Sequence, residues 1–426
     1  MYQRLQSFVR LLKIRDYCLL WTAHLVSVIG DWALTAALLI FVYNLTGHKL
    51  SLSKMLIFEA MPVILFGYPA GALTDSLNRR RLMIACDVLR AGAVLMLLFV
   101  HEPTDVWIVY MVGFSIGFFG LLFRPARIAS IPNIVPKDLL VTANSVATFT
   151  EICAMLLGPV IGASLAFSFM GLVCVLDAAT FLLSALALWI AVIPQPAVAG
   201  RIKGIRDLWA GLRGTMFFMA SNLSIRFLTT ILAVVAVAVG AYNVLEVAFA
   251  KDNLRLTDSE FGLLISFLAL GMFLGVLICN AIAQEAHASA LTAGGIALFG
   301  ASLIAFSLSG SLVVALVALI PMGVGNAAAL IGSTTMFQVH TPNEVQGRVV
   351  SVFWIMYTLL NCFGMYVASW VTDNLQINVA QVLLAAGCLS LIGGLAGISR
   401  LSVLQRTSLI ADTSTSQVVL PDGGGD

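Results

Sequence analysis

The sequence predicts an all-α membrane protein with twelve transmembrane helices arranged as two six-helix halves. Of its 426 residues, 60% are hydrophobic and only 10% are charged, whereas soluble domains carry roughly a quarter charged residues. The apolar residues form continuous blocks of about 20, the length of a helix that crosses a bilayer. Continuous blocks exclude a β-barrel, whose strands would alternate apolar and polar residues. Short motifs of the first half recur in the second half.

Twelve spans can be placed in order along the chain. Each is an apolar run between polar segments, as expected where the backbone must satisfy its own hydrogen bonds inside lipid. Spans 1 to 6 are predicted at 19–45, 53–74, 82–100, 106–123, 143–167 and 170–193, and spans 7 to 12 at 225–249, 260–283, 289–308, 312–336, 349–371 and 377–397.

These spans divide the chain into five parts. They are an N-terminal segment (1–18), a first six-helix bundle (19–193), a linker (194–224), a second six-helix bundle (225–397) and a tail (398–426). The linker is basic and contains Trp209, so it is predicted either as an amphipathic helix on the membrane surface or as a disordered tether. The tail is polar and glycine-rich and is predicted to be disordered. No cleaved signal peptide is expected, because no short apolar core with a small-residue cleavage site follows the basic N-terminus.

The basic residues predict the orientation. If the N-terminus is cytoplasmic, nearly all lysines and arginines lie on the inner side, and only Lys49, Lys54, Lys251 and Arg255 lie outside. Positive residues concentrate in cytoplasmic loops. Both termini are therefore predicted to be cytoplasmic. A net charge of +2 gives no reason to expect a nucleic-acid partner.

The two halves repeat in parallel. Before span 5, the segment 135–139 has a proline, a polar residue, an acid and an aliphatic residue in the same order as the segment 341–345 before span 11. The same offset of 206 residues carries Ser145-Val146 onto Ser351-Val352. Such duplications are typical of secondary transporters.

A charged connector, residues 71–81, joins spans 2 and 3. It resembles the loop between helices 2 and 3 of the major facilitator superfamily, whose pattern is Gly-x-Leu-x-Asp-x-x-Gly-Arg-Arg or Lys. The matching residues are Gly71, Leu73, Asp75, Arg79 and Arg80. Asn78 replaces the glycine of the pattern, and asparagine tolerates the left-handed backbone conformation that glycine would supply.

This resemblance implies a cytoplasmic latch between the halves. The carboxylate of Asp75 would lie against the N-terminus of span 11 near Arg348, where free amide groups attract an anion. Neighbouring charges would complete the network, namely Asp87, Arg90, Arg124 and Arg127. Within this network, Asp87 and Arg90 are predicted to pair with each other one turn apart. For Arg79 to Arg81, the alternative is that they only set the topology. The second half has no such latch, since Ala281 stands at the position equivalent to Asp75.

Span 5 contains a second motif. Gly158, Pro159 and Gly162 resemble the Gly-Pro-x-x-Gly-Gly element of antiporters in the superfamily, with alanine at positions 154 and 163. Small residues let helices approach closely, and a proline inside a span bends it. The resemblance favours export, and the alternative is a generic packing face.

Four further stretches resemble a bacterial permease branch of the superfamily, which includes enterobactin exporters and macrolide efflux proteins. They are the segments 27–32, 124–132, 143–144 and 347–349. The resemblance implies a monomeric protein of the bacterial inner membrane.

Acids inside the spans are candidates for coupling or substrate contact, because a charge in lipid is expected to face the bundle interior or a cavity. Asp31, near the middle of span 1, is the first candidate, and its alternative role is structural. Glu59 and Glu246 lie toward the outer side, as candidates for an outer gate or for substrate contact, and Glu151 can titrate as a cavity opens. Asp177 is predicted to cap or hydrogen-bond a neighbouring helix.

The leading hypothesis is a transporter that works by alternating access and exports an amphipathic small molecule of the drug, macrolide or siderophore type in exchange for protons. One alternative is a lysophospholipid or other lipid facilitator, since Gly30-Asp31 and the connector between spans 4 and 5 also resemble that relative. Another is a non-transporting sensor or assembly protein. No enzyme, metal or cofactor is expected, because the sequence has dispersed histidines, no Cys-x-x-Cys pair and no phosphate-binding loop.

Overall fold

A computed structural model describes residues 2–194, 205–282, 288–341 and 343–399. Within these ranges, twelve helical segments are long and apolar enough to cross a membrane, which confirms the predicted fold class. Spans 1 to 6 are Arg15–Thr46, Lys49–Ala70, Arg79–Phe99, Pro103–Ile134, Lys137–Ala166 and Met170–Ile190, and spans 7 to 12 are Ile225–Asn253, Asp258–Ala281, Ala288–Ser307, Leu312–Val339, Gln346–Asn374 and Val379–Ser399.

Two further helices lie outside the spans. Tyr2–Leu12 precedes span 1, and its Leu11 is fully buried. Its Arg10 Nη2 lies 3.0 Å from Asp138 Oδ2, near the start of span 5. Ile205–Ser221 lies in the predicted linker. Residues 195–204 of the linker and residues 400–426 of the predicted tail lie outside the described residues.

Helical backbone continues through all 51 residues of Leu140–Ile190, which include most of span 5 and all of span 6. A straight helix of that length would extend roughly 77 Å, far beyond a bilayer core. Gly162 of span 5 packs on Ala33 of span 1, and Asp177 of span 6 packs on Gly30, only three residues earlier. The chain therefore reverses direction between spans 5 and 6.

Glycines bring the inner helices into backbone contact. A Cβ atom at Gly162 would overlap the backbone of Ala33, and one at Gly158 would lie 2.6 Å from the Cβ of Trp32. The second half repeats this arrangement, because Gly364, the repeat equivalent of Gly158, packs against the backbone of Val237 in span 7. Both halves therefore use glycine to join their first and fifth helices.

The two halves meet through spans 2 and 11 and through spans 5 and 8. Ser266 Oγ of span 8 donates a hydrogen bond to the carbonyl of Leu156 in span 5 at 2.6 Å. Gly262 of span 8 lies against the carbonyl of Pro159. We call the end of the bundle with residues 71–81 the basic face and the opposite end the distal face.

The basic connector caps helices of the first half. Asn78 is not left-handed but extended, with φ −68° and ψ 107°, and its side chain accepts a hydrogen bond from the backbone N–H of Arg81 at 3.0 Å. An asparagine at this position satisfies a free amide at the start of span 3. Arg80 Nε donates to the carbonyl of Leu188 at 2.9 Å, at the end of span 6, where a cation is favourable. Arg79 Nη1 donates to the carbonyl of Ala129 in span 4 at 2.8 Å.

We expect Gly162→Ala to destabilise the protein, because the added methyl group overlaps the backbone of Ala33 and overpacking typically costs about 1–3 kcal/mol. Gly92→Ala is the matched control, since a Cβ there meets nothing within 4 Å and alanine favours a helix over glycine by about 1 kcal/mol. Thermal unfolding of the purified protein should show a lower Tm for Gly162→Ala and an unchanged or higher Tm for Gly92→Ala. Equal shifts in both variants would contradict the packing assignment.

Candidate functional site

The first half contains a cavity of about 430 Å³, within the range of small-molecule sites. Spans 1 to 5 form its walls. Charged or titratable side chains converge on it from all five spans: His24, Asp31, Glu59, Arg90, Arg124, Arg127 and Glu151. A set of charges this dense inside a membrane bundle is typical of a functional cavity.

Asp31 lies in the middle of span 1 and faces this cavity. Its Oδ2 lies 3.8 Å from Arg90 Nη1, a long distance for an ion pair. Its Oδ1 is buried and accepts no hydrogen bond from any described residue. Asp31 is therefore a carboxylate whose hydrogen-bonding capacity is only partly used.

Arg90 is fixed from several directions. Its Nη2 lies 2.5 Å from Oδ1 of Asp87, whose Oδ2 accepts a hydrogen bond from Ser184 at 2.6 Å. Its guanidinium carbon lies 4.7 Å from the ring centre of Phe123 and 4.5 Å from that of Phe181. Cation–π contacts of this kind are attractive when the cation is desolvated. Asp87 is thus the close partner of Arg90, and Asp31 is the distant one.

Glu151 links spans 1, 4 and 5. Its Oε1 lies 3.3 Å from His24 Nε2 and 3.7 Å from Arg127 Nη2. The sequence predicts a cytoplasmic network near Asp75 that includes Arg124 and Arg127, with Asp87 and Arg90 paired within it. Asp87 does contact Arg90, but all three arginines line the cavity.

Glu59 and Arg124 also line the cavity. No hydrogen bond or ion pair connects either side chain to another residue of the described ranges. Glu59 lies at a close crossing of spans 2 and 4, where a Cβ on Gly117 would overlap its carbonyl. Glu59 is available to a ligand as a carboxylate, and Arg124 is an exposed guanidinium group in the electrostatic field of Glu151.

The remaining predicted residues lie elsewhere. Glu246 is buried in span 7 and does not line the cavity. Arg348 is exposed at the start of span 11. The side chain of Asp75, together with Gly71, lies outside the described parts, so the predicted contact between Asp75 and span 11 stays a prediction. Asp177 accepts a hydrogen bond from Thr180 of its own span at 3.4 Å and fits against Gly30, rather than hydrogen-bonding a neighbouring helix as predicted.

An ionic cluster at the distal face joins the two halves. Lys49 Nζ of span 2 lies 3.3 Å from Asp252 Oδ2 of span 7 and 3.9 Å from Asp373 Oδ1 of span 11. Tyr43 donates a hydrogen bond to Asp252 at 2.6 Å, and the backbone N–H of Leu50 donates to Asp373 at 2.8 Å. These contacts join spans 1 and 2 of the first half to spans 7 and 11 of the second half.

This cluster is not predicted from the sequence. Lys49 served there only as a basic residue in the prediction of membrane orientation, and the two aspartates lie at the ends of spans roughly 200 and 320 residues further along the chain. The available signal was that a lysine and two acids all fall at span ends on the same predicted side.

Among the described residues, no group of three histidines, cysteines or acids is placed to hold a metal ion.

Comparisons with known proteins agree with this architecture. Residues 8–419 match the family described as "Transmembrane secretion effector". An uncharacterized MFS-type transporter of Bacillus subtilis, YfiS, is 24% identical over 88% of this chain and 91% of its own length. Macrolide efflux protein A of Streptococcus pyogenes is 22% identical over 86% and 91%, and the enterobactin exporter EntS of Escherichia coli is 27% identical over 66% of each chain.

Solved structures show the same fold at low identity. The nucleoside transporter NupG superposes with a TM-score of 0.73 at 12% identity, over 90% of this chain and 98% of that protein. A bacterial homologue of the iron transporter ferroportin in an inward-facing state gives 0.71 at 16% identity, over 92% and 100%. With the family match over nearly its whole length, this chain belongs to the transmembrane secretion effector family of major facilitator superfamily transporters.

Proposed function

We propose that the protein exports amphipathic small molecules from the bacterial cytoplasm in exchange for protons, with its basic face and both termini on the inner side of the membrane. The observation that carries this proposal is Asp31, a partly satisfied carboxylate that faces a cavity in the middle of a span beside a fixed cation. The macrolide efflux protein and the enterobactin exporter among the relatives support an outward direction.

The chemistry of coupling follows from the position of Arg90. A proton on Asp31 removes the negative charge that attracts Arg90 across 3.8 Å. Asp87 keeps Arg90 in place in both protonation states, since it holds the closer contact. Asp31 can therefore exchange a proton or contact a cationic substrate while Arg90 stays bound to Asp87. In general, a carboxylic acid holds its proton more firmly when buried than when exposed to water.

Alternating access requires the two faces to open in turn. The Lys49 cluster joins the two halves at the distal face and supports its assignment as the closure of that face. We infer that export separates Lys49 from Asp252 and Asp373 while the basic face closes. Gly71, Asp75, Arg79, Arg80 and Arg348 are the proposed elements of that second closure, and the Gly158, Pro159 and Gly162 segment is the proposed packing element that moves with span 1.

A lipid facilitator is the second candidate function, because one surface feature favours it. An apolar groove of about 370 Å³ lies on the outer surface of the first half, between spans 1, 5 and 6. Its walls include Leu176 and Leu183, both about half exposed. Exposed apolar side chains in this position face lipid acyl chains.

We expect Asp31→Asn to abolish proton exchange, since an amide cannot carry a proton between the two sides. The assay uses proteoliposomes with an internal pH-sensitive dye, an imposed proton gradient and a panel of macrolides, catecholate siderophores and lysophospholipids. Wild type should move protons when a substrate is added, and Asp31→Asn should fall to the level of protein-free liposomes. Glu102→Gln is the control, since Glu102 is exposed and does not line the cavity.

Two results of this assay would contradict the exporter proposal. Unchanged proton movement in Asp31→Asn would remove Asp31 from the coupling step. Lysophospholipid movement without any proton movement, in both wild type and variant, would favour the lipid facilitator.

We expect Lys49→Gln to open the distal face more often, because it removes the cation shared by Asp252 and Asp373. A partly exposed ion pair contributes up to about 1 kcal/mol, which corresponds to about a fivefold change in population. The readout is the labelling rate of Leu38→Cys, a position that lines the cavity, in a variant whose seven native cysteines are replaced by serine. The label is a membrane-impermeant maleimide added from the distal side. Lys54→Gln is the control, because Lys54 is exposed on the same span. Equal labelling rates in the two variants would show that Lys49 does not hold this face closed.

A further inference from the structure

Span 4 has a glycine, Gly120, for which neither packing nor backbone conformation gives a reason. It lies inside the helix Val106–Ile134, where glycine is a poor helix former. Among the described glycines, Gly47 is the one with a positive φ, so Gly120 has an ordinary backbone conformation. A Cβ at Gly120 would meet no atom within 4 Å. No neighbouring helix therefore requires the absence of a side chain here.

Gly120 lines the first cavity, on a face of span 4 that is directed toward it. Residues three or four apart share one face of a helix, and this face contributes Gly113, Ile116, Gly117, Gly120, Phe123, Arg124 and Arg127 to the cavity wall. Ile116 and Phe123 lie about one turn from Gly120 on either side, so two large apolar side chains flank a position that has none. We call the space over Gly120, between Ile116 and Phe123, the notch.

Two contacts fix the level of the notch in the bundle. Gly117 packs against the carbonyl of Glu59 in span 2, and the ring of Phe123 lies 4.7 Å from the guanidinium carbon of Arg90 in span 3. Gly120 is three residues from both Gly117 and Phe123, which corresponds to roughly 4.5 Å along the helix axis. The notch therefore lies between the level of Glu59 and the level of Arg90.

The internal repeat shows that the fold accepts a side chain at this position. The 206-residue offset maps Gly117 onto Gly323 and Gly120 onto Asn326. Gly117 and Gly323 have the same packing role, because a Cβ on either would overlap a backbone carbonyl of the second helix in its own half. Asn326, by contrast, lines a cavity of the second half with a side chain. The first half thus has open space where the second half has an amide.

We propose that Gly120 sets the width of the molecules that the first cavity admits, and that the notch receives the edge of a broad, ring-shaped body. This inference rests on the proposed transport of amphipathic molecules and specifies the shape of the substrate. Bare backbone between two large apolar side chains gives a ring close contact over much of its face. A side chain at position 120 would fill the notch and leave room only for narrower molecules.

The test measures the width of the cavity with two thiol reagents, N-ethylmaleimide and the broader N-(1-pyrenyl)maleimide. Thr35→Cys supplies the thiol in a full-length protein whose seven native cysteines are replaced by serine. Thr35 lines the cavity one turn from Asp31 toward the distal face, and Gly120 lies about one turn from Phe123 in the same direction. Since Asp31 and Phe123 both approach Arg90, the new thiol lies near the level of the notch.

Rates are measured in lipid nanodiscs, and each is divided by the rate of the same reagent with glutathione. The Thr35→Cys protein should react with both reagents at comparable corrected rates. Adding Gly120→Leu should lower the ratio of the pyrenyl rate to the ethyl rate by about tenfold or more, because leucine occupies the space that the ring needs. Gly120→Asn and Gly120→Ala should lower this ratio by successively smaller factors. These two variants test the proposal even where leucine impairs folding.

Gly92→Leu is the matched control. A Cβ at Gly92 also meets no atom within 4 Å, but Gly92 is exposed on span 3 and does not line the cavity. The ratio of the two rates should stay as in the Thr35→Cys protein.

Three results would overturn the proposal: an unchanged ratio in all three variants of Gly120, an equal loss of both rates in each of them, or slow pyrenyl labelling of the Thr35→Cys protein itself. Labelling needs neither a substrate nor a proton gradient. Failure of the width limit with intact proton exchange is therefore distinguishable from failure of the exporter proposal, in which the ratios change as expected but Asp31→Asn exchanges protons as the wild type does.

Discussion

A buried arginine organises the first half of this transporter. A guanidinium group inside a membrane bundle needs nearby negative charge to offset its own. Asp87, the rings of Phe123 and Phe181, and the distant Asp31 surround Arg90 from spans 1, 3, 4 and 6, while its Nε donates to no described residue. Because the closest contact goes to Asp87, the carboxylate of Asp31 retains capacity for other partners. The cavity therefore contains a carboxylate, that of Asp31, which the nearby Arg90 only partly neutralises.

Much of the fold could be predicted from the sequence, because lipid imposes a strong and local rule. Each span must be apolar over about 20 residues and must satisfy its own backbone, so the twelve spans could be placed without knowledge of their contacts. The internal repeat was equally accessible, since it needs only a constant offset between matching segments. Asp31 was recognisable as an unusual charge in the middle of a span.

The grouping of the side chains could not be predicted in the same way. Glu151 meets His24 and Arg127 because three helices cross at one level, and that level depends on glycine contacts such as Gly162 against Ala33. The connector pattern suggested a network near Asp75, but Arg127 lies far enough along span 4 to reach the cavity. To predict the contact of Lys49 with Asp252 and Asp373, one would have to know which span ends are neighbours. Motifs identified the family more reliably than they identified contacts.

The glycine contacts between spans 1 and 5 have a mechanical consequence. At Gly158 and Gly162 the two helices touch through backbone and Cβ atoms, without long side chains that could rearrange to let one helix slide past the other. Asp177 fits against Gly30 on the neighbouring side, so span 6 is held to the same helix. Spans 1 and 5 are therefore in backbone contact close to the level of Asp31. We expect a tilt of span 5 at its contact with Ser266 to carry span 1 with it, so that movement at the interface between the halves accompanies exposure of the acid.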